Sequence, residues 1–386
     1  MPSTGFRHPA LRWAAAVLVL GAAPLAAQSV PSTRKLTRPD AELGEPFDQV
    51  IALRELGAGK VLVTDGGARS VVLADFASGR QTPVGRNGQG PGEYQFPGEL
   101  LPAGDTTFIV DRASRRLLAV APDGRMTGRT VPFPEAIGGL PAARGADRSG
   151  RIYFQASPFR VPDEGGEVEP KLPDSTAVLR WDRAANRVDT VAKVKIPATR
   201  VNVSGDQRAR MVMMRPQPYA PEDDWAVAAD GRVAIARVSD YHIEWVDDGR
   251  RIAGAPVPYP RRRVTEADRT RYLAELRSNR NRVVVTRGPT GGRAPEVRIP
   301  EPGAEDFVWP EYLPPFRRGM LISPEGQAWV PRHDEAPVYD VFDSRGNLAA
   351  RLELPPGRRL VGLGRGVLYA IRTDSDGLQW LERYPR

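Results

Sequence analysis

The few histidines of this 386-residue chain limit the chemistry that it can do. Two of them, His242 and His333, lie downstream of the first 27 residues. Zinc usually takes three or four His, Cys or carboxylate ligands, and the chain has no cysteine, so we expect neither a zinc site nor a disulfide. His333 stands beside Asp334 and could act as a general base, the alternative being a solvated loop histidine. No nucleophile-elbow motif accompanies them, so a Ser–His–Asp hydrolase is not indicated.

Aromatic and basic residues concentrate between positions 307 and 318. The group comprises Phe307, Trp309, Tyr312, Phe316, Arg317 and Arg318, and Arg332 and His333 follow shortly after. Aromatic side chains and arginines supply most of the binding energy at protein surfaces, so the pattern indicates a ligand-binding rim. The alternative, which the sequence leaves open, is a hydrophobic plug that seals loops onto the core. Further arginines at 208, 210, 215 and 261–263 would make the same surface positive and favour anionic partners.

A repeated strand pattern predicts the elements that carry these residues. A short turn with glycine, followed by an alternating apolar run, occurs six times, around Gly59, Gly104, Gly150, Gly231, Gly326 and Gly364. Each occurrence is followed by a second pair of runs around another turn, which is the signal of consecutive hairpins. Six units of four short strands predict an all-β fold, a six-bladed β-propeller.

The last repeat stops at Arg386 after its third strand, which would leave an unpaired edge. Residues 32–41 belong to no repeat of their own. We therefore expect them to supply the missing outer strand beside residues 379–384 and to close the ring. The alternative is an N-terminal tail that lies free of the sheets.

The segment GRNGQGPGEYQFPGELL, followed by FIVDRASRRLLAVAPDGR, resembles the repeat of NHL-type six-bladed propellers. The C-terminal part, LPPFRRGMLISPEGQAWVPR and VYDVFDSRGNL, resembles exported six-bladed β-propeller proteins of environmental bacteria. The resemblance covers nearly all of residues 47–386 and implies the same fold. It implies no activity, because no activity is agreed for that exported group.

Three long segments interrupt the repeat, at residues 157–175, 198–224 and 261–316. In a propeller all three are predicted to emerge on one face, which we interpret as the binding face. The third contains a helix signal, with Thr265 as a cap, Asp268 three residues later, and Tyr272 and Leu276 on one side. We expect a short helical insertion within 261–306 that rests on the propeller as a lid. A partner-binding helix is the alternative.

Calcium is the one cofactor that the resemblance brings into consideration. Propeller lactonases hold calcium at the channel through Glu and Asn or Asp oxygens, and Glu99 and Asp224 are the corresponding candidates in this chain. No asparagine falls on an inner strand, so no cofactor is expected, with calcium as the alternative.

The first 27 residues have the pattern of an export signal. Arg7 and Arg12 precede an apolar run at 13–23 that is too short to span a bilayer, and small residues follow. We expect a mature single-domain chain of residues 28–386, periplasmic or extracellular and without a transmembrane anchor. The net charge of +8 comes from basic residues spread among 47 acidic ones, so nucleic acid is not an expected partner.

These observations favour a binding or interaction module of the cell envelope over an enzyme. The expected ligand-binding residues are Trp309, Tyr312, Phe316, Arg317, Arg332, His333 and Asp224. The expected partner is an envelope protein, a peptide, a glycan or an anionic small molecule. The alternative is a propeller enzyme, a lactonase-like hydrolase or a lyase, that works at the channel mouth.

Overall fold

The protein folds into six antiparallel sheets arranged as the blades of a propeller. The computed structural model describes residues 31–137, 142–158, 172–204, 211–280 and 303–386. The six-bladed all-β fold predicted from the repeats is therefore confirmed.

Two short strands precede the first blade, β1 (Thr33–Lys35) and β2 (Ala41–Glu42). Each blade is then built from consecutive strands that run from the innermost outward. Blade 1 contains β3 (Val50–Gly57), β4 (Lys60–Asp65), β5 (Ser70–Asp75) and β6 (Gln81–Pro83). A parallel pair, β7 (Arg86–Asn87) and β8 (Glu93–Tyr94), connects it to blade 2, which contains β9 (Pro97–Ala103), β10 (Thr106–Asp111), β11 (Arg116–Val120) and β12 (Met126–Pro132).

Blades 3 and 4 follow the same order. Blade 3 contains β13 (Ala142–Ala146), β14 (Ile152–Gln155), β15 (Ser175–Asp182) and β16 (Arg187–Lys195). A separate hairpin, β17 (Thr199–Ser204) and β18 (Met211–Pro216), precedes blade 4, which contains β19 (Asp224–Val227), β20 (Val233–Arg237), β21 (His242–Asp247) and β22 (Arg250–Ala253).

Blades 5 and 6 incorporate the two N-terminal strands. Blade 5 contains β23 (Leu321–Ile322), β24 (Ala328–Pro331), β25 (Val338–Phe342) and β26 (Leu348–Glu353), and β1 is added outside β26. Blade 6 contains β27 (Arg358–Leu363), β28 (Val367–Thr373) and β29 (Gln379–Pro385), and β2 is its outermost strand. The innermost strands β3, β9, β13, β19, β23 and β27 contact one another in that cyclic order and surround the channel.

The N-terminal segment closes the ring as predicted, but only the end of the predicted range lies in the closing strand. Ala41 and Glu42 pair with Arg383 and Glu382, and Phe47 bridges to Gln379. Thr33–Lys35 instead pairs in parallel with β26 of blade 5. The predicted range of 32–41 therefore corresponds to two strands on two blades, because residues 36–40 cross from one outer edge to the next.

Buried aspartates fix the chain where it enters the innermost strands. Asp65, at the end of β4, accepts hydrogen bonds from the backbone N–H groups of Asp48 (2.9 Å) and Gln49 (3.0 Å). Asp111, at the end of β10, does the same for Gln95 (3.3 Å) and Phe96 (3.0 Å). Charge-assisted bonds of this kind satisfy backbone donors that no sheet partner reaches, so the aspartate of the repeat positions the channel wall.

One α-helix, α1 (Glu266–Arg280), lies within the described part of the predicted insertion, where the 3₁₀ turn Ala304–Asp306 also lies. Its first turn is a capping box in which Asp268 replaces the usual glutamate. The Thr265 Oγ1 accepts from the Asp268 N–H (3.3 Å), and the Asp268 carboxylate accepts from the Thr265 N–H (3.0 Å). Among the described residues, no helix is long and apolar enough to cross a bilayer.

Candidate functional site

The channel opens into a cleft of about 770 Å³, which we call the channel cleft. Gly66 and Arg112 line it from the connections between the second and third strands of blades 1 and 2, and Gln379 lines it from the start of β29 in blade 6. Glu275 of α1 lines it as well, so the helix lies over this mouth as a lid. The short helix predicted for the insertion is present in its described part, with Glu275 at the channel mouth.

Five arginines and one acidic residue are the charged side chains that line the channel cleft. They are Arg112, Arg144, Arg317, Arg318, Arg359 and Glu275. The arginines come from blades 2, 3 and 6 and from the segment that enters blade 5, so they converge on the cleft from different sides. Cationic groups gathered in a concave site raise the local concentration of anions.

Two of these arginines pair with carboxylates on innermost strands. Arg112 donates to Glu99 of β9, with an Nε–Oε2 distance of 3.3 Å. Arg144 of β13 donates to Asp224, the first residue of β19. Asp224 is fully buried, and its second oxygen accepts the N–H groups of Gly319 and Met320, each at 2.8 Å. Both calcium candidates are therefore held by arginine.

The ionised form of Asp224 is stabilised by its surroundings. Burial opposes ionisation, but the positive charges of Arg144 and Arg318 and the Met320 N–H outweigh it, so the pKa of Asp224 lies below its ordinary value. Within the part of the chain that the structure describes, no group of three or more His, Asp or Glu side chains is placed to hold a metal ion.

Arg317 is the lining arginine whose charge is available to a ligand. Its backbone N–H donates to the carbonyl of Pro331 (3.0 Å), which fixes its position next to blade 5. Across residues 31–137, 142–158, 172–204, 211–280 and 303–386, the Arg317 guanidinium has neither an ion pair nor a hydrogen bond. Arg318 approaches Glu222 at 3.7 Å, and Arg359 donates to the Val50 carbonyl at 3.2 Å.

A second cleft of about 340 Å³ adjoins the first beneath α1, and we call it the side cleft. Tyr219, Tyr272 and Phe316 form its aromatic lining, and His333 and Glu222 are among its polar residues. Glu275, Arg317 and Arg318 line both clefts, which are therefore continuous.

His333 is a neutral side chain in this environment. Burial lowers the pKa of its imidazole to about 3, and the positive charges of Arg317, Arg262 and Arg271 act in the same direction. Its ring meets the Tyr219 ring edge to face, with centroids 5.5 Å apart. His333 therefore lies inside the predicted binding face, but it is packed rather than solvated.

Glu222 has the opposite perturbation. Burial raises its pKa to about 7; the nearby Arg318 lowers it, and the charge of Asp224 raises it further. Its side chain keeps 23% of its surface accessible. A carboxyl group that titrates near neutrality in a cleft is suited to exchanging a proton with a ligand.

The predicted aromatic rim is divided by the structure. Trp309 packs against Tyr219, Tyr272 and Phe307 with ring centroids 5.6 to 6.2 Å apart, and its indole N–H donates to the Ala304 carbonyl at 2.8 Å. These contacts hold α1 against the neighbouring loops. Trp309 thus has the plug geometry that the sequence left open as the alternative.

Tyr312 and Arg332 lie away from both clefts. Tyr312 lies beneath the guanidinium groups of Arg261 and Arg263, 4.1 and 5.3 Å from its ring centroid. Arg332 is buried and donates to Asp334 (2.6 Å) and Asp340 (3.0 Å). Asp340 also accepts from Tyr241 and Arg351, both at 2.6 Å, so this network stabilises blade 5. Of the other predicted ligand-binding residues, Phe316, Arg317 and His333 line the side cleft.

The long segments are described only in part. Residues 216–222, α1 and residues 307–316 meet beside the channel mouth, because Tyr219 contacts Tyr272 and Trp309. Most of the predicted loop at 157–175, and the arginines at 208 and 210, lie outside the described residues, as do residues 1–30.

Comparisons with known proteins identify no family for this chain. No protein-family model and no curated protein matches the chain. The calcium-binding protein regucalcin from Agrobacterium tumefaciens is 13% identical, with 90% of this chain and 96% of that chain covered and a TM-score of 0.41. A member of the DUF4221 family from Bacteroides vulgatus is 9% identical, with 90% and 98% covered and a TM-score of 0.48. Virginiamycin B lyase from Staphylococcus aureus is 10% identical, with 90% and 88% covered and a TM-score of 0.39. The assignment of the propeller rests on the strand order.

Sequence reasoning missed Arg112, Arg144, Arg359, Tyr219, Glu222 and Glu275. Arg144 and Arg359 lie on innermost strands, and charged residues on strands that face a channel are the signal that would have found them. Glu222 begins an acidic run, Glu222–Asp223–Asp224, at the entry to β19, and only the fold shows which member faces the cleft.

Proposed function

We propose that this protein is an exported binding module that takes an anionic ligand at the channel mouth. One observation carries the proposal. The channel cleft gathers five arginines and one acidic side chain, and among the described residues the Arg317 guanidinium has no partner of its own. Arginine in a concave, partly dry site binds carboxylates and phosphates in a bidentate manner.

The arrangement of α1 supports a ligand site rather than a purely structural channel. The helix is capped by Asp268, which accepts from both Arg262 (2.8 and 3.0 Å) and Arg271 (2.7 Å). These bonds fix the first turn of α1, so the helix that carries Glu275 forms one wall of the channel cleft. Preorganised sites of this kind lose less conformational entropy on binding.

Titration calorimetry with pyrophosphate tests the anion site. The chain of residues 28–386 should bind pyrophosphate, and Arg317→Ala should weaken binding about tenfold or more, because a charge-assisted contact is lost. Arg125→Ala is the matched control, since Arg125 is exposed next to Asp123 and lies outside both clefts. Equal affinity in the wild type and Arg317→Ala would refute the proposal.

Export rests on the first 27 residues, which combine a basic start, an apolar run and small residues. Expression in a Gram-negative host, followed by fractionation and N-terminal sequencing, should give a chain without residues 1–27 in the periplasm or the medium. An intact N-terminus in the cytoplasm would contradict export.

A second candidate function is favoured by Glu222 alone. An enzyme of the hydrolase or lyase class would use it as a general acid or base, because its pKa of about 7 lets both protonation states be populated near neutral pH. Glu222→Gln would then abolish turnover while leaving anion binding intact. The binding module is preferred because the Arg317 guanidinium has no partner among the described residues and lies at a cleft that four further arginines line, whereas a single carboxyl group supports the enzyme.

A further inference from the structure

We propose that the ligand is an aryl acid, whose aromatic ring lies in the side cleft while its acidic group lies on Arg317. This inference rests on the proposed function, because it assigns a chemical class to the anion bound at the same mouth. It adds the side cleft, which the anion site alone does not require.

The two clefts are continuous at the position of Arg317. Arg317, Arg318 and Glu275 line both, so a molecule in the side cleft reaches the guanidinium group without leaving the site. The side cleft measures about 340 Å³, which is at the lower end of the usual range for small-ligand pockets. It therefore suits one ring with its substituent better than an extended chain.

One part of the side-cleft lining is aromatic and apolar. Tyr219 and Tyr272 form one wall, with ring centroids 5.6 Å apart, and Phe316 and three prolines, at 197, 216 and 314, complete the apolar surface. Tyr219 has a positive φ of 51°, an unfavourable conformation for a bulky residue. Strained residues held by their surroundings concentrate at functional sites, and this one presents an aromatic ring.

Two polar groups beside the tyrosine wall are engaged within the protein. The Asp268 carboxylate accepts from Thr265, Arg262 and Arg271, and the Tyr219 hydroxyl donates to the Asp268 carbonyl at 2.6 Å. A sugar ring needs partners for several hydroxyl groups, whereas an aryl ring needs only apolar surface. The wall therefore favours an aryl group over a sugar.

The charge at the junction selects an acid. Arg317 lies between the clefts, and Arg271 lines the side cleft. Burial lowers the pKa of the His333 imidazole, and the charges of the same two arginines and of Arg262 lower it further, in keeping with a positive junction. A neutral aryl compound would leave Arg317 without a counter-charge, so the acidic group is part of the class.

Calorimetry with two matched anions tests the proposal. Phenyl phosphate should bind the chain of residues 28–386 at least about tenfold more tightly than methyl phosphate, which carries the same charge without the ring. Tyr272→Leu and Ala220→Leu should remove most of the difference in affinity between phenyl and methyl phosphate. The first deletes an aromatic ring of the cleft wall, and the second fills the cleft. Methyl phosphate should bind these variants as it binds the wild type. Arg317→Ala should weaken both phosphates.

The two proposals fail in different ways. Equal binding of phenyl and methyl phosphate, or a ratio that persists in Ala220→Leu, would overturn the aryl assignment and leave the anion site standing. Glucose 6-phosphate is the sugar comparison. If its affinity exceeds that of methyl phosphate by as much as the affinity of phenyl phosphate does, the aryl assignment is overturned in favour of a sugar. Unchanged binding of both phosphates to Arg317→Ala would overturn the anion site itself. Ala220→Leu keeps both tyrosines, so it tests the cleft even where Tyr272→Leu fails to fold.

Discussion

The guanidinium group of Arg144 donates a hydrogen bond to the buried carboxylate of Asp224, and this pair joins the innermost strands of blades 3 and 4 at the channel mouth. The other Asp224 oxygen holds the N–H groups of Gly319 and Met320 at the entry to blade 5. One carboxylate thus connects three consecutive blades beside the proposed ligand site.

Arg144→Ala should destabilise the protein through this pair. The substitution leaves the Asp224 carboxylate buried without its arginine, and breaking a buried pair in this way costs about 3 kcal/mol of unfolding free energy. Urea unfolding measures the change. Arg125→Ala, in an exposed ion pair, should leave the midpoint nearly unchanged. Equal midpoints for the two variants would contradict the structural role of Asp224.

The N-terminal closure predicts a graded effect of truncation. A chain that begins at Thr37 loses β1 and should melt slightly below the wild type. A chain that begins at Leu43 also loses β2, the Asp40 N–H bond to the Arg383 carbonyl (2.8 Å) and the Glu42–Arg372 ion pair. It exposes the edge of β29, so its melting temperature should fall by more than about 5 °C. Equal melting of the two truncations would show that β2 does not close the ring.

His333 should not titrate in the physiological range. Burial, with the charges of Arg317, Arg262 and Arg271, lowers its pKa to about 3, so the folded protein binds fewer protons than the unfolded chain below about pH 6.5. The contribution of His333 to stability is present above that pH and is lost as the pH falls toward 3. Proton NMR, with the signal assigned by His333→Gln, should show no imidazole shift between pH 7.5 and 5. A midpoint near 6.5 would mean that His333 is solvated.

Glu222 should make the protein less stable as the pH rises. Its pKa is raised from 4.5 to about 7, chiefly by burial, so the folded state keeps a proton that the unfolded chain has released. Its contribution is present below about pH 4.5 and is lost as the pH rises to about 7. The difference in unfolding free energy between Glu222→Gln and the wild type should therefore shift in favour of the variant by on the order of 1–3 kcal/mol between pH 4.5 and pH 8. Parallel stability profiles for the two proteins would contradict the raised pKa.

The sequence predicts the blades because turn glycines and alternating apolar runs are local signals. The same turns set the strand order, and Asp65 and Asp111, which end β4 and β10, have the same structural role in blades 1 and 2. Which residues form the closing strand was harder to predict, because residues 33–35 and 41–42 have similar extended patterns. Only the folded structure shows that residues 33–35 pair with blade 5 and residues 41–42 with blade 6.

The site was harder to predict than the fold. Phe316, Arg317 and His333 were predicted as ligand-binding residues because aromatic, basic and histidine residues are conspicuous in sequence, and they line the side cleft. Trp309 and Tyr312 are equally conspicuous, but their rings pack against Tyr272 and beneath Arg261. Arg144, Arg359 and Tyr219 come from segments far apart in the chain, and only ring closure brings them to one mouth.

The position of a bound anion tests the central claim most directly. Crystals of residues 28–386 soaked in selenate, and measured at the selenium edge, report where an anion binds. We predict an anomalous peak in the channel cleft, within about 4 Å of the Arg317 guanidinium as ion-pair geometry requires, and its loss in Arg317→Ala. A cleft without a peak, or a peak that persists in Arg317→Ala, would contradict an anion site at the channel mouth.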